Sequence, residues 1–211
     1  MLPGDPGRAL RLAQLLTDGP KMLNHNRGLW GYTGIAADGL PLTVQSSGMG
    51  GPSAAIVVHE LIALGARRIV RAGTCGALAE SLRLGDLLVA ERVLGEDGTS
   101  RALGAPGAQT PDPVLTAALL RAPGAGARGV AVVTRDLFYD ERGGWPAGAA
   151  AVEMEAATVL AVCTGAGAVA ACVLAVSDVL SPGGGRERIG EAALLEAEER
   201  LGHAAYAALS A

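Results

Sequence analysis

The chain has 211 residues, half of them hydrophobic, which is enough to bury the core of one α/β domain. With 41 Ala and 31 Gly against six aromatic residues, its elements must pack on small side chains, and it has few rings on which single-stranded nucleic acid could stack. Seventeen basic and 21 acidic side chains leave a formal charge of -4, which disfavours a nucleic-acid partner.

Taken in chain order, helical patterns are predicted at about Arg8 to Leu16, Ser53 to Leu64, Pro113 to Leu120, Val152 to Cys163 and Ile189 to Leu209. Pro52 marks a helix start and Gly65 a helix end. Strands are predicted at Leu42 to Gln45, Arg68 to Arg71, Asp86 to Val93, Val130 to Thr134 and Val169 to Val176. Most of these strands are apolar on both faces, as in a sheet covered by helices on each side. The alternation implies a three-layer α/β/α sandwich with a central mixed β-sheet, and no linker divides residues 1–211 into more than one domain.

Ala156 to Ser177 is a 22-residue run without a formal charge, long enough to span a bilayer. Thr158, Thr164, Gly165 and Gly167 interrupt it and no Lys or Arg flanks it closely, so the expected structure is a helix, a glycine turn and a buried strand, with no membrane partner. Cys75, Cys163 and Cys172 are odd in number and lack metal-type spacing, which suggests reduced thiols in a cytoplasmic protein.

In covered α/β sheets ligands bind outside the carboxyl ends of strands, so those loops are the place to look for chemistry. Gly4-Asp5-Pro6-Gly7-Arg8 is a turn opening a helix with a cation in its first turn, which suits a phosphate or is simply a capped turn with a surface Arg. Arg71 is expected to end an apolar strand ahead of a Gly73-Thr74-Cys75-Gly76 turn, where it would face either a ligand anion or a structural carboxylate. Gly48 to Ser53 lets backbone approach a ligand closely but misses the dinucleotide fingerprint, because Ser53 stands at the third glycine position.

Glu153 and Glu155 are expected at the start of a helix, where acids are favoured by the dipole and capping alone would explain them. Asp178, after Ser177 near the end of the most apolar strand, reads as a cap or as a carboxyl able to donate a proton. No P-loop or Gly-x-Ser-x-Gly motif occurs. His59-Glu60 lacks a second zinc-binding His, and His25, His59 and His203 are scattered, so no metal site is expected.

In order, these segments closely resemble the nucleoside phosphorylase family, which includes bacterial hexameric purine nucleoside phosphorylases and uridine phosphorylases. The resemblance rests on Gly4 to Ala9, Asn24 to Gly28, Gly31 to Gly34, Gly48 to Ser53, Arg71 to Ala77, Asp136 to Tyr139, Val152 to Ala157 and Val176 to Asp178. It implies that Gly4, Arg8, Arg71 and Thr74 bind inorganic phosphate, with Arg27 supplied by the neighbouring subunit of a homo-oligomer, a hexamer built as a trimer of dimers. Glu155 would accept from the ribose hydroxyls, with Met49 and Met154 packing on the sugar. Phe138 would lie against the base, while Cys75, Gly76, Val152 and Ser177 shape its pocket.

The implied activity is reversible phosphorolysis of purine nucleosides, with phosphate as co-substrate and no cofactor, and with Asp178 as the acid for the departing base. The alternatives are a uridine phosphorylase, a phosphate-independent nucleosidase, or a nucleoside-binding homologue without activity. The uridine reading is weakened because Arg142 and Gly144 stand where uridine enzymes of the family carry a Gln and an Arg.

The chain departs from the family in three places. Only Met1, Leu2 and Pro3 precede the Gly4 turn, where the family has a full strand and a longer leader carrying a His; the stretches from Phe138 to Val152 and after Asp178 are also short. Arg188 is the candidate for the Arg that approaches the acid, with Arg186 as the alternative.

Overall fold

The computed structural model describes residues 1–140, 144–181 and 185–211. In chain order its elements are α1 (Pro6–Leu16), β1 (Thr17–Asn24), β2 (Gly31–Ala36), β3 (Pro41–Gln45), α2 (Gly51–Ala63), β4 (Arg68–Ala77), β5 (Leu87–Gly95), α3 (Gly98–Ala102) and β6 (Gly107–Gln109). They continue with α4 (Pro113–Arg121), β7 (Arg128–Thr134), β8 (Ala151–Glu153), α5 (Ala156–Gly165), β9 (Val169–Leu180), β10 (Arg186–Arg188) and α6 (Glu191–Leu209).

The main sheet is mixed, in the order β10-β9-β4-β8-β7-β5-β6, and β5 also reaches back to pair with β9, so the sheet curls on itself. β9 shows why the fold has three layers. Ala171, Val173 and Ala175 face a core shared with α1, α4 and α6, while Ala170, Cys172, Leu174 and Val176 face a second core under α2 and α5. Two buried faces explain why this strand reads as a continuous apolar run. Small residues at many of these positions let helices lie close to the sheet, so Leu174, fully buried, should cost about 2–5 kcal/mol on truncation to Ala.

Several boundaries differ from the sequence expectation. Val152 to Glu155 is not helical: Val152 pairs with Gly76 of β4 and Val133 of β7, so cross-strand pairing overrides the helical pattern and α5 begins only at Ala156. Arg71 does not end its strand. β4 runs on to Ala77 because β9 pairs with it residue by residue, with one irregularity at Cys75/Gly76 that accommodates the local bend. The expected Gly73 to Gly76 turn is therefore strand.

A separate antiparallel sheet, β1-β2-β3, follows α1, and of it the sequence pattern revealed only β3. β1 is mostly exposed and carries Gly19 and Pro20, so its apolar signal is weak; at a sheet edge Pro is tolerated because its missing N–H would face solvent. The glycine turn after α5 is present, with Gly167 at φ 68°, and among the described residues no helix is long and apolar enough to cross a membrane.

Candidate active site

Arg71 sits in mid-sheet, 3% exposed, a location a guanidinium can occupy only if its charge is met. Its Nε donates to Glu153 Oε2 at 2.9 Å and its Nη2 lies 2.5 Å from Glu155 Oε2. Burial alone would lower the Arg71 pKa, but Glu155 and Glu153 more than offset it and keep the group charged. Arg71 Nη1 is buried and has no hydrogen-bond partner among the described residues. An orphaned donor on a buried cation disfavours the isolated protein and favours an arriving anion.

Gly73 makes this geometry possible. Residues 71 and 73 share one face of β4, and a Cβ at Gly73 would lie 2.8 Å from Arg71 Nη2 and 2.9 Å from its Cζ. The guanidinium thus lies flat over a residue that has no side chain.

The two carboxylates have different tasks. Glu153 Oε2 also accepts from the backbone N–H groups of Glu155 and Ala156, each at 2.8 Å, while its Oε1 accepts from Thr134 Oγ1. It caps α5, so the capping explanation holds for this residue. It also orients Arg71, a function that its position in the sequence did not suggest. Glu155, 5% exposed, accepts from the Gly50 N–H and stays turned toward the glycine loop. Burial, the largest influence, raises its pKa, with Arg71 opposing. Beside it a cleft of about 550 Å³ brings Met49, Gly50 and Met154 together, with Met49 86% exposed at the rim.

A second group of residues adjoins the first through β8. Val152 pairs with Gly76, and Ser177 Oγ donates to the Cys75 carbonyl at 3.3 Å and to Asp178 Oδ2 at 2.7 Å. Cys75, Gly76, Val152, Ser177 and Asp178 are therefore neighbours. Cys75 contributes bulk rather than a nucleophile, since burial pushes its thiol well above the ordinary range.

Asp178 is 5% exposed and pairs with Arg188, whose Nε donates to Oδ1 at 3.1 Å; Arg186 Nε lies 3.7 Å from the same oxygen. Arg186 also stacks over Phe138, with Cζ 4.1 Å from the ring centroid. The sequence left Arg186 and Arg188 as alternatives. The short strand β10 brings both to the acid, because residues two apart on a strand share a face.

Several of the other expected site residues have partners within the chain. Gly4 packs on the glycine loop, its carbonyl accepting from the Gly48 N–H at 3.1 Å and from Ser46 Oγ at 2.6 Å. Arg8 is buried, but its Nε donates to Glu198 Oε1 of α6 at 2.8 Å, and Arg11 shares that carboxylate. Thr74 is half-buried on β4. Arg27 is exposed, has no side-chain hydrogen bond or ion pair among the described residues, and is the non-glycine residue with a left-handed backbone, at φ 56° and ψ 20°. Arg142 falls outside the described residues, while the Gly144 carbonyl accepts from Arg135 at 2.7 Å. Among the described residues no group of three or more His, Cys, Asp or Glu side chains is arranged to hold a metal ion.

The model of the phosphorylase superfamily matches residues 1–210. The chain belongs to this family. A DeoD-type purine nucleoside phosphorylase of Geobacillus kaustophilus is 36% identical over 196 residues, covering 87% of this chain and 81% of the relative. A guanosine phosphorylase of Halorubrum lacusprofundi is 35% identical over 192 residues, covering 87% and 79%. A uridine phosphorylase of Treponema pallidum is 41% identical, but over 101 residues, covering 48% and 38%. The family and the mixed α/β fold agree with the resemblance drawn from the motifs.

Proposed function

We propose that this protein is an enzyme that catalyses the reversible phosphorolysis of purine nucleosides, giving free base and ribose 1-phosphate. The observation that carries this reading is Arg71, a buried cation with an orphaned Nη1, paired with the buried Glu155, which accepts from Gly50 in the wall of a cleft, within a phosphorylase-superfamily fold. Relatives named as purine nucleoside and guanosine phosphorylases over most of the chain support the purine assignment.

In this mechanism phosphate binds at Arg71 with Thr74 and the Gly4 turn, and is held in line with the C1' carbon it attacks. Glu155 accepts from the ribose hydroxyls, and Met49 and Met154 pack on the sugar. A phosphate oxygen forms a bond to C1' as the C1'–N9 bond breaks and its electron pair passes to the base. Asp178 delivers a proton to N7 so that the base leaves neutral, and general acid assistance of this kind contributes roughly 10² to 10⁴ in rate. Phe138, Cys75, Gly76, Val152 and Ser177 enclose the base, and Arg188 positions the acid.

Arg8, held at Nε by Glu198, joins the phosphate set through its remaining N–H groups. Arg27, exposed and without a side-chain partner among the described residues, completes a neighbouring subunit's site in a homo-oligomer, which we take to be a hexamer. Inorganic phosphate is the co-substrate, no cofactor is required, and the buried free thiols suit a cytoplasmic protein. Uridine phosphorolysis is the second reading, favoured by the Treponema relative but giving Asp178 no N7 to serve.

The test is base release from inosine, guanosine, adenosine and uridine, each with and without phosphate. Phosphate-dependent purine release is expected. Release that is indifferent to phosphate, or a preference for uridine, would overturn the proposal.

A further inference from the structure

Two arginines meet one carboxylate at the base end of the site, and one of them does more than pair. Arg188 Nε makes the hydrogen bond to Asp178 Oδ1, at 3.1 Å, and its side chain is 72% exposed. Arg186 stands off at 3.7 Å, has a side chain only 26% exposed, and rests on the Phe138 ring at 4.1 Å. A guanidinium stacked on a ring keeps its plane and spends its N–H groups at its edge, so it is set up to donate to a planar acceptor beside it.

The geometry of a purine decides what that acceptor is. N7 and the 6-substituent lie on one edge of the base. Where position 6 is oxo, the edge presents two acceptors; where it is amino, it presents one acceptor and one donor. A group that serves N7 and a donor within 4 Å of that group therefore address neighbouring atoms of one edge. We propose that Arg186 selects 6-oxopurine over 6-aminopurine nucleosides, donating to O6 while Asp178 serves N7. The inference rests on the purine reading above. A 6-amino group would face the guanidinium donor to donor, and a site built to hydrogen-bond one group discriminates strongly against its mismatch.

The test compares kcat/KM for inosine and adenosine, and Kd for hypoxanthine and adenine by calorimetry, in the wild-type, Arg186→Ala and Arg186→Gln proteins. The wild type is expected to favour the 6-oxo member of each pair by at least about tenfold, a typical value for one well-placed base-edge contact. Arg186→Ala should collapse both ratios by about tenfold. Arg186→Gln should shift them further toward adenosine and adenine, because its amide oxygen can accept from the 6-amino group while Asp178 keeps N7.

A merely structural arginine would lower both substrates alike and leave the ratios unchanged, which would overturn the inference, as would a wild type that prefers adenosine or binds neither base. If the bases bind with the expected discrimination but no phosphate-dependent turnover occurs, phosphorolysis is the reading that fails and the selectivity of Arg186 stands.

Discussion

Arg71 is held between Glu153 and Glu155 in the interior of the sheet, so its removal has two separable effects. Arg71→Ala strands two buried carboxylates, which should destabilise the fold by about 3–5 kcal/mol in urea titration, and should abolish saturation by phosphate. Near-normal phosphate saturation in that variant would remove Arg71 from the site. Gly73→Ala is the finer probe, because the three atoms nearest the added methyl, at 2.8–3.1 Å, all belong to the Arg71 guanidinium. It should raise KM for phosphate and lower the melting temperature, though by less than Arg71→Ala does, because the displaced guanidinium keeps its charge beside the two carboxylates; an unchanged KM would mean that the guanidinium need not lie where it does. At the other end of the site, Asp178→Asn should lower kcat for inosine by roughly 10² or more with phosphate binding nearly intact. Full activity in that variant would show that another group protonates the base.

At the scale of elements, helix starts show how the same chemistry carries different weight in different surroundings. Asp112 caps α4 at a half-buried site, accepting from the Leu115 N–H at 2.8 Å, so Asp112→Ala should cost about 1 kcal/mol. Glu153 caps α5 in the interior and also carries the Arg71 ion pair, so Glu153→Ala should cost about 3–5 kcal/mol by the same measurement. Equal losses would mean that the buried pair adds nothing to the cap. The strand β10 is shorter than any hydrophobic pattern could reveal, yet it is the element that carries Arg186 and Arg188 to Asp178. Its three residues are exposed and charged, so no apolar alternation marks them as a strand.

For the whole molecule, the buried thiols set an alkaline limit. Burial raises the Cys163 pKa from 9.0 to about 12, so the folded state holds that proton after an unfolded chain has lost it. The sign follows: this contribution is fully present below pH 9 and is lost as pH rises toward 12, at up to about 1.4 kcal/mol per pH unit. Urea stability should fall above pH 9, and Cys163→Ala should make that fall shallower; an unaltered slope would assign it to other groups. Assembly is tested separately by mixing inactive Arg27→Ala and Asp178→Asn chains under conditions of demonstrated subunit exchange. Partial recovery of activity is expected if Arg27 serves its neighbour, and mixtures that stay inactive would place it in its own chain's site or in none.

Local sequence sufficed wherever a short-range rule decides the outcome. Double-faced apolar runs such as Val169 to Val176 specify a covered strand, Pro6 and Asp5 a helix start, and the ordered glycine, Arg and Glu motifs the family. Tertiary structure decided what depends on partners distant in the chain. Val152 and Glu153 carry a helical pattern, but pairing to β4 and β7 makes them strand and places Glu153 against Arg71, 82 positions away. Whether Arg71 ended its strand, whether Arg8 lay on the surface or was buried against Glu198, and whether Arg186 or Arg188 met Asp178 were decided by packing and by the cost of burying an unmatched charge. Residue spacing encodes neither of these, because the stabilising partner in each case arrives from another element.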